Sequence, residues 1–213
     1  MDDRVVKFML VVDGDGVSDQ FTDLLSRYMA RLPGTSLMHV AVAEQPDPIG
    51  PQPAVSPSSV IVEWFAAEPP EPARWASDLG VETNRLRWYA VSEALRWQRP
   101  GTSRSATGVS HICCVGRAAG LTEAQFEQHW TAIHRPLAQK HHFGMELYVQ
   151  NVVRRPLGSG GQGIDGIAEL GFRSEKALQN EMFDSDEGSK IISTDVSKFV
   201  GRASCGLYRL IAG

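Results

Sequence analysis

Residues 129 to 142 read HWTAIHRPLAQKHH and hold four of the six histidines in the chain. Histidine changes charge near neutral pH, so a cluster of it raises two kinds of chemistry first, proton transfer and metal ligation. Ligation fits the spacing poorly. His134 and His141 stand seven apart, roughly 10 Å of rise along a continuous helix. The run is not HExxH, and no cysteine joins it at ligand spacing, so neither a metal nor a cofactor is expected. Proton transfer fits better. A neutral imidazole with a pKa of about 6.5 can remove a proton α to a carbonyl at cellular pH.

His134 is the member placed to do this. Thr122 and Gln125 form a capping-box pattern that starts a helix, and Phe126, Trp130, Ile133 and Leu137 follow at spacings of four, three and four, predicting its buried face. His134 lies one turn beyond Trp130, beside the indole and at the edge of the apolar stripe. Pro136 removes a backbone donor and disfavours helical geometry at Arg135, so the helix is expected to kink or stop near His134 and free the carbonyl of Ala132. His141 and His142, at the helix end, are expected to face the C-terminal carbonyls and dipole. Further on, Asp165 and Glu169 share one face of a strand by alternation, and one of them is expected to orient His134. Trp130, Leu137, Asp165 and Glu169 make up the predicted substrate-binding set. Each residue also has a plainer reading: His134 bonded to the freed carbonyl, Asp165 in a turn, Glu169 paired with a cation across the sheet.

The elements that must position these residues repeat. Apolar, β-branched runs at 5–12, 36–43, 59–66 and 86–95 predict strands, and 18–32 and 71–79 predict helices, in the order βαββαβ. Strands at 110–116, 145–153, 164–172 and 204–211, with helical stretches at 122–141 and between 174 and 199, repeat that order. The predicted class is α+β, two tandem ferredoxin-like units over 1–98 and 109–213, joined by the Ser, Thr and Gly-rich linker 99–108. EQPDPIGPQPAVSPSS (44–59) carries five prolines and predicts a stiff exposed connection between strands. GSGGQG (158–163) satisfies GxGxxG but precedes a strand rather than a helix, so it predicts a loop and not a dinucleotide site. DGDG (13–16) lacks the later ligands of a calcium loop and predicts a turn.

Composition narrows the setting. The chain has 213 residues, 42% hydrophobic and 22% charged, and a formal net charge of −4, with basic residues scattered among acids. That argues against a nucleic-acid partner. The N-terminal apolar run VVKFMLVV is broken by Lys7 and ends at Asp13, so no membrane span or signal segment is predicted. Cys113 and Cys114 are adjacent and Cys205 stands alone, an odd set that predicts reduced, buried thiols and a cytoplasmic protein.

Three ordered segments carry a resemblance. LTEAQFEQHWTAIHRPLAQKH (121–141), MELYVQNVV (145–153) and GIDGIAELGF (163–172) resemble the EthD family of the dimeric α/β-barrel superfamily, over residues 110–211. Residues 1–98 resemble a degenerate copy of the same unit. Aligning Phe21 with Phe126 there sets Met29 where His134 stands. The resemblance implies sheet-to-sheet pairing of the two units as a pseudo-dimer within one chain, with a ligand cavity between helix and sheet. Family relatives include cofactor-independent lactone methylisomerases, polyketide cyclases and dehydratases, and a protein of alkyl-ether degradation. In the isomerase-like members, the positions matching His134 and Tyr148 line the pocket, and a cysteine used there is replaced by Leu170. His134 as general base and Tyr148 as the phenol holding a developing enolate thus form the predicted catalytic pair. The expected ligand is a small hydrophobic ketone, lactone or aromatic polyketide, and the expected reaction a lyase, isomerase or cyclase step. Two alternatives stay open: a haem-binding protein with His39, His111 or His134 as axial ligand, and a non-catalytic binding or assembly protein. Further homodimerisation is compatible with either arrangement.

Overall fold

The structure is a computed structural model that describes residues 6–12, 19–31, 35–41, 60–104, 107–158 and 163–211. The DGDG turn, the proline-rich connection and residues 159–162 of the glycine-rich loop lie outside the described residues.

The first half contains β1 (Val6–Val12), α1 (Asp19–Met29), β2 (Thr35–Ala41), β3 (Val60–Ala66), α2 (Pro72–Leu79) and β4 (Leu86–Gln98). The second half contains β5 (Val109–Arg117), α3 (Glu123–Gln128), a π-helical turn (His129–His134), α4 (Arg135–His141), β6 (Leu147–Leu157) and β7 (Gly166–Phe172). It ends with α5 (Glu175–Glu181), α6 (Asp186–Phe199) and β8 (Val200–Ile211). The eight strands close into one antiparallel barrel in the order β1-β3-β2-β8-β5-β7-β6-β4. Two pairings join the halves: β2 with β8, and the long β4 with β6. Register shifts between Ala90 and Val91 and between Glu93 and Leu95 let β4 bend around the closure, the usual role of bulges in a curved sheet.

Alternation divides the side chains between two environments. On the outer face, Trp64, Trp75 and Trp88 fill the space between sheet and helices in the first half, with ring centroids 4.6 to 5.9 Å apart. In the second half the matching space is lined by Phe126, Trp130, Phe172, Leu178 and Phe199. Inside the barrel, Met9, Val11, Ile61, Tyr89, Ile112 and Tyr208 form an apolar cluster.

Beside that cluster sits an ionic network that runs from the buried Lys7, His39, Glu63 and Glu169 out to the exposed Glu93 and Arg96. Lys7 Nζ lies 2.6 Å from Glu63 Oε2 and 2.7 Å from Glu93 Oε2. His39 Nε2 is 3.1 Å from Glu63 Oε1. Arg104 contacts Glu63 and also donates to Glu169 at 2.8 Å, and Ser110 Oγ donates to Glu169 at 2.8 Å. Arg96 binds Glu93 at 2.7 Å and reaches Glu63 at 3.5 Å. Burial pushes the Glu63 carboxyl up, but the hydrogen bond from His39 and the charges of Lys7 and Arg104 outweigh it and hold the group well below the ordinary glutamate range. The interior is thus tied from both halves, and the predicted linker supplies Arg104 to it.

Two expectations need correction here. Cys113 and Cys205, directly opposed on β5 and β8, form a disulfide, so these two are not free thiols and the cysteine argument for a cytoplasmic protein falls away. Cys114 is buried and takes no part in a disulfide. The helix after Thr122 also does not stop at Pro136. The expected capping box is present, with Thr122 Oγ1 accepting from the Gln125 N–H at 3.2 Å and Gln125 Oε1 accepting from the Thr122 N–H at 2.9 Å. The helix then widens by one residue in the π turn, where the Arg135 N–H donates to the Trp130 carbonyl, and Pro136 opens α4 at a position that tolerates a missing donor. No helix among the described residues is long and apolar enough to cross a membrane.

Candidate active site

The π turn decides which residues of the histidine-rich helix face the sheet. It adds a residue to the turn, so the buried positions run Phe126, Trp130, His134, Ala138 and His141. Ile133, predicted in the buried face, is 49% exposed, and His134 is 6% exposed in its place. A bulge of this kind is common at functional sites because it re-aims one side chain without ending the helix.

His134 meets a carboxylate, though not one of those expected. Its Nδ1 is 3.0 Å from Oδ2 of Asp195 on α6, while His129 Nε2 is 2.9 Å from Oδ1 of the same group. Asp195 is 3% exposed, on the apolar face of α6 with Ile192 and Phe199. A carboxylate can only accept, so both histidines donate to it. With Nδ1 carrying its proton, a neutral His134 has its lone pair on Nε2, the nitrogen left for the cavity. Burial pushes the His134 pKa down, against the bond and charge of Asp195, and the ring is therefore the neutral base at physiological pH.

The cavity is about 410 Å³ in volume and lies between the outer face of the barrel and the helices. Trp130, His134 and Tyr148 line it, with Leu170, Phe199 and His142 among the other walls. Tyr148 is fully buried, and its hydroxyl accepts from Gln150 Nε2 at 2.9 Å and from the Trp130 side chain. Burial raises the phenol pKa, against those two bonds, to about 12, so it stays protonated and can donate its hydrogen to a ligand oxygen. His142 donates from Nδ1 to the Met182 carbonyl at 3.0 Å, and burial lowers its pKa to about 4. His141 binds Asp184 at 3.1 Å. The last two histidines thus dock the helix onto the α5–α6 connection rather than cap its own carbonyls.

Gly166 explains how the indole reaches its place. A Cβ there would come within 2.3 Å of the Trp130 ring. Gly166→Ala should therefore cost about 1–3 kcal/mol and displace Trp130 from the cavity wall, read as a lower Tm with altered tryptophan fluorescence. An unchanged Tm would mean the ring has room to move.

The remaining predicted site residues are not brought to this cavity. Leu137 is half-buried on α4 and outside its wall. Asp165 binds Arg117, accepting from its backbone N–H at 2.8 Å and from its guanidinium. Asp165 lies just before β7, and the face of β7 that carries Glu169 points into the barrel, so Glu169 holds Arg104 and Ser110 instead of His134. The missed partner, Asp195, had one sequence signal: a lone carboxylate on the apolar face of an otherwise ordinary amphipathic helix. Of the histidines named for haem, His111 and His134 line the cavity, and His39 lies inside the barrel.

Two groups have metal-ligand geometry among the described residues: His111, Cys113 and Cys205 in the cavity wall, and His39, Glu63 and Glu169 inside the barrel. In the second, Arg104 already binds both carboxylates, which leaves little charge for an ion.

The model of the EthD domain matches residues 118–203. That stretch is an EthD domain. It contains the whole π-turn helix, Tyr148, Leu170 and Asp195, and so most of the cavity. Over the full chain the likeness is one of fold. A crystal structure of an anthrone oxidase-like protein superposes with a TM-score of 0.66 at 13% identity, covering 99% of this chain and 92% of that one. Two proteins provisionally named monooxygenases follow. The one from Fusobacterium nucleatum has a TM-score of 0.54 at 6% identity over 97% of this chain and 91% of its own. The one from Lactobacillus acidophilus has 0.51 at 8% identity over 97% and 93%. No curated protein matches the sequence at a significant level.

Proposed function

We propose that the EthD domain is the catalytic part of a cofactor-independent enzyme that removes a proton α to a carbonyl in a small apolar ketone, lactone or aromatic polyketide. The observation that carries this is the His134–Asp195 pair, with His134 at the wall of an apolar cavity that also holds the Tyr148 hydroxyl. His134 Nε2 takes the proton, Asp195 fixes the tautomer and stabilises the imidazolium, and Tyr148 donates to the oxygen on which enolate charge develops. Lyase, isomerase and cyclase outcomes all pass through that enolate. Oxidation would too, since dioxygen reacts with such carbanions, and the names of the full-length structural neighbours favour this second outcome.

The strand orders β4-β1-β3-β2 and β6-β7-β5-β8 support reading the halves as two ferredoxin-like units that meet as a pseudo-dimer within the chain. Met29 stands at the position of His134 in the first unit, and tryptophans fill the space where a cavity would be, which fits a single active cavity.

The test is α-proton exchange in D2O, followed by proton NMR, over a panel of aryl ketones, anthrones and lactones. Wild-type protein should exchange one of them well above the buffer rate, and His134→Gln should not. Tyr148→Phe should keep binding while slowing exchange by about 10²–10³-fold, the usual cost of one oxyanion donor. Exchange that survives in His134→Gln would assign the base elsewhere.

A further inference from the structure

The disulfide stands in the wall of the same cavity, and the proposed proton chemistry makes no use of it. Cys113 and Cys205 are register partners on β5 and β8, with Cα atoms 4.1 Å apart. His111 precedes Cys113 by two residues and so shares its face. Cys113 Sγ lies 3.8 Å from His111 Nδ1 and 3.9 Å from Nε2. One imidazole nitrogen and the two sulfurs all fall within 4.8 Å of one another. Each of the three residues lines the cavity. No sequence motif signals this, because the cysteines are 92 residues apart and only the β5–β8 pairing brings them together.

We propose that, when the disulfide is reduced, His111, Cys113 and Cys205 form a zinc-type metal site whose open position faces the cavity, and that oxidation abolishes it. A dithiol or phosphine reductant supplies two electrons and is itself oxidised. The S–S bond breaks, and each sulfur becomes a thiol. Metal binding then displaces the two thiol protons, and two thiolates with a neutral imidazole make the familiar S₂N donor set of a soft or borderline divalent ion. Two thiolates cancel the charge of the ion, so the filled site is neutral and suits an apolar wall. Three protein ligands and one open position are the arrangement of catalytic rather than structural zinc. Strand pairing pre-sets both sulfurs, and rigid β5 carries the third donor.

Cobalt(II) is the probe, because thiolate-to-cobalt charge transfer gives a near-ultraviolet band that imidazole or carboxylate ligands do not. Full-length protein, stripped of metal and reduced with a phosphine, should take up one equivalent with that band and with intense visible bands of tetrahedral cobalt. Zinc should displace it. The same protein oxidised to the disulfide should show no band, and peptide mapping should find Cys113 linked to Cys205. Cys113→Ser or Cys205→Ser should lose the band, whereas Cys114→Ser, whose sulfur points into the barrel, should retain it. His111→Ala should weaken cobalt by more than the roughly 10–100-fold that a change outside the ligand shell costs. The proposal is overturned if the reduced wild-type protein gives no thiolate band, if the band persists in Cys113→Ser, or if His111→Ala leaves affinity unchanged. The wild-type comparison of oxidised and reduced protein requires no variant to fold. None of these readouts depends on His134, so failure here leaves the proton-transfer reading standing, and the reverse holds as well.

Discussion

Asp195→Asn is expected to slow α-proton exchange by about 10²–10⁴-fold with the fold intact. The carboxylate accepts from two histidines at once, at 2.9 and 3.0 Å. An amide has one accepting oxygen and a donating nitrogen, so it can keep only one of those bonds. If its nitrogen turns to His134, that ring must accept at Nδ1 and carry its proton on Nε2, and the base is lost from the cavity. The pH profile distinguishes this from simple damage to the fold. Asp195 raises the His134 pKa against burial, so removing its charge should move the acid limb of any residual activity to lower pH. A rate within a few-fold of wild type, with the limb unmoved, would leave Asp195 a structural partner of His129 and nothing more.

Glu63→Ala should destabilise the protein by about 3–5 kcal/mol, the range for removing one partner of a buried ion pair. Three cations, the buried Lys7, the partly buried Arg104 and the exposed Arg96, face three carboxylates, the buried Glu63 and Glu169 and the exposed Glu93. Glu63 touches all three cations and His39, so its loss takes a close counter-charge from the buried Lys7 ammonium. A denaturant midpoint gives the value, and a loss below 1 kcal/mol would show that Glu93 and Glu169 rebalance the network alone. Acid should separate this group from the buried histidine. His142 has its folded pKa lowered to about 4, so the unfolded chain binds its proton first and stability falls as pH drops from about 6.5 toward 4. At about 1.4 kcal/mol per unit that leg amounts to roughly 3 kcal/mol. The Glu63 carboxyl is also lowered, so its contribution is complete above about 4.5 and is lost only below that. His142→Gln should make the first leg shallower, leaving the part that His134 contributes through its own lowered pKa, and spare the second.

Much of this architecture was legible from local pattern. Apolar, β-branched runs located all eight strands, the Thr122 and Gln125 box located the start of the key helix, and His134 emerged from its place beside Trp130. What escaped has a common cause: it depends on pairings between distant segments or on a departure from regular geometry. The 3.6-residue period put Ile133 inside, and one extra residue in the π turn put His134 there instead. Alternation picks out Glu169 on one face of β7, but it cannot say whether that face points into a barrel or out to a helix. The closing pairs β2–β8 and β4–β6 leave no local trace, and with them went the placement of His39 and the reach of Arg104, while the meeting of Cys113 with Cys205 depends on the equally distant β5–β8 pairing. Asp195 was visible in outline, as a charge on an apolar stripe, and only its partner was not.

The closure of the barrel by one chain has a consequence for how binding must behave. A barrel assembled from two identical chains exists only above its dissociation constant, and it presents two equivalent sites that can communicate. Here both sets of strands are covalently continuous, and β2–β8 and β4–β6 form at an effective concentration fixed by the linker rather than by the solution. Dilution therefore cannot open the cavity. One barrel holds one His134, and its closure calls for no second chain.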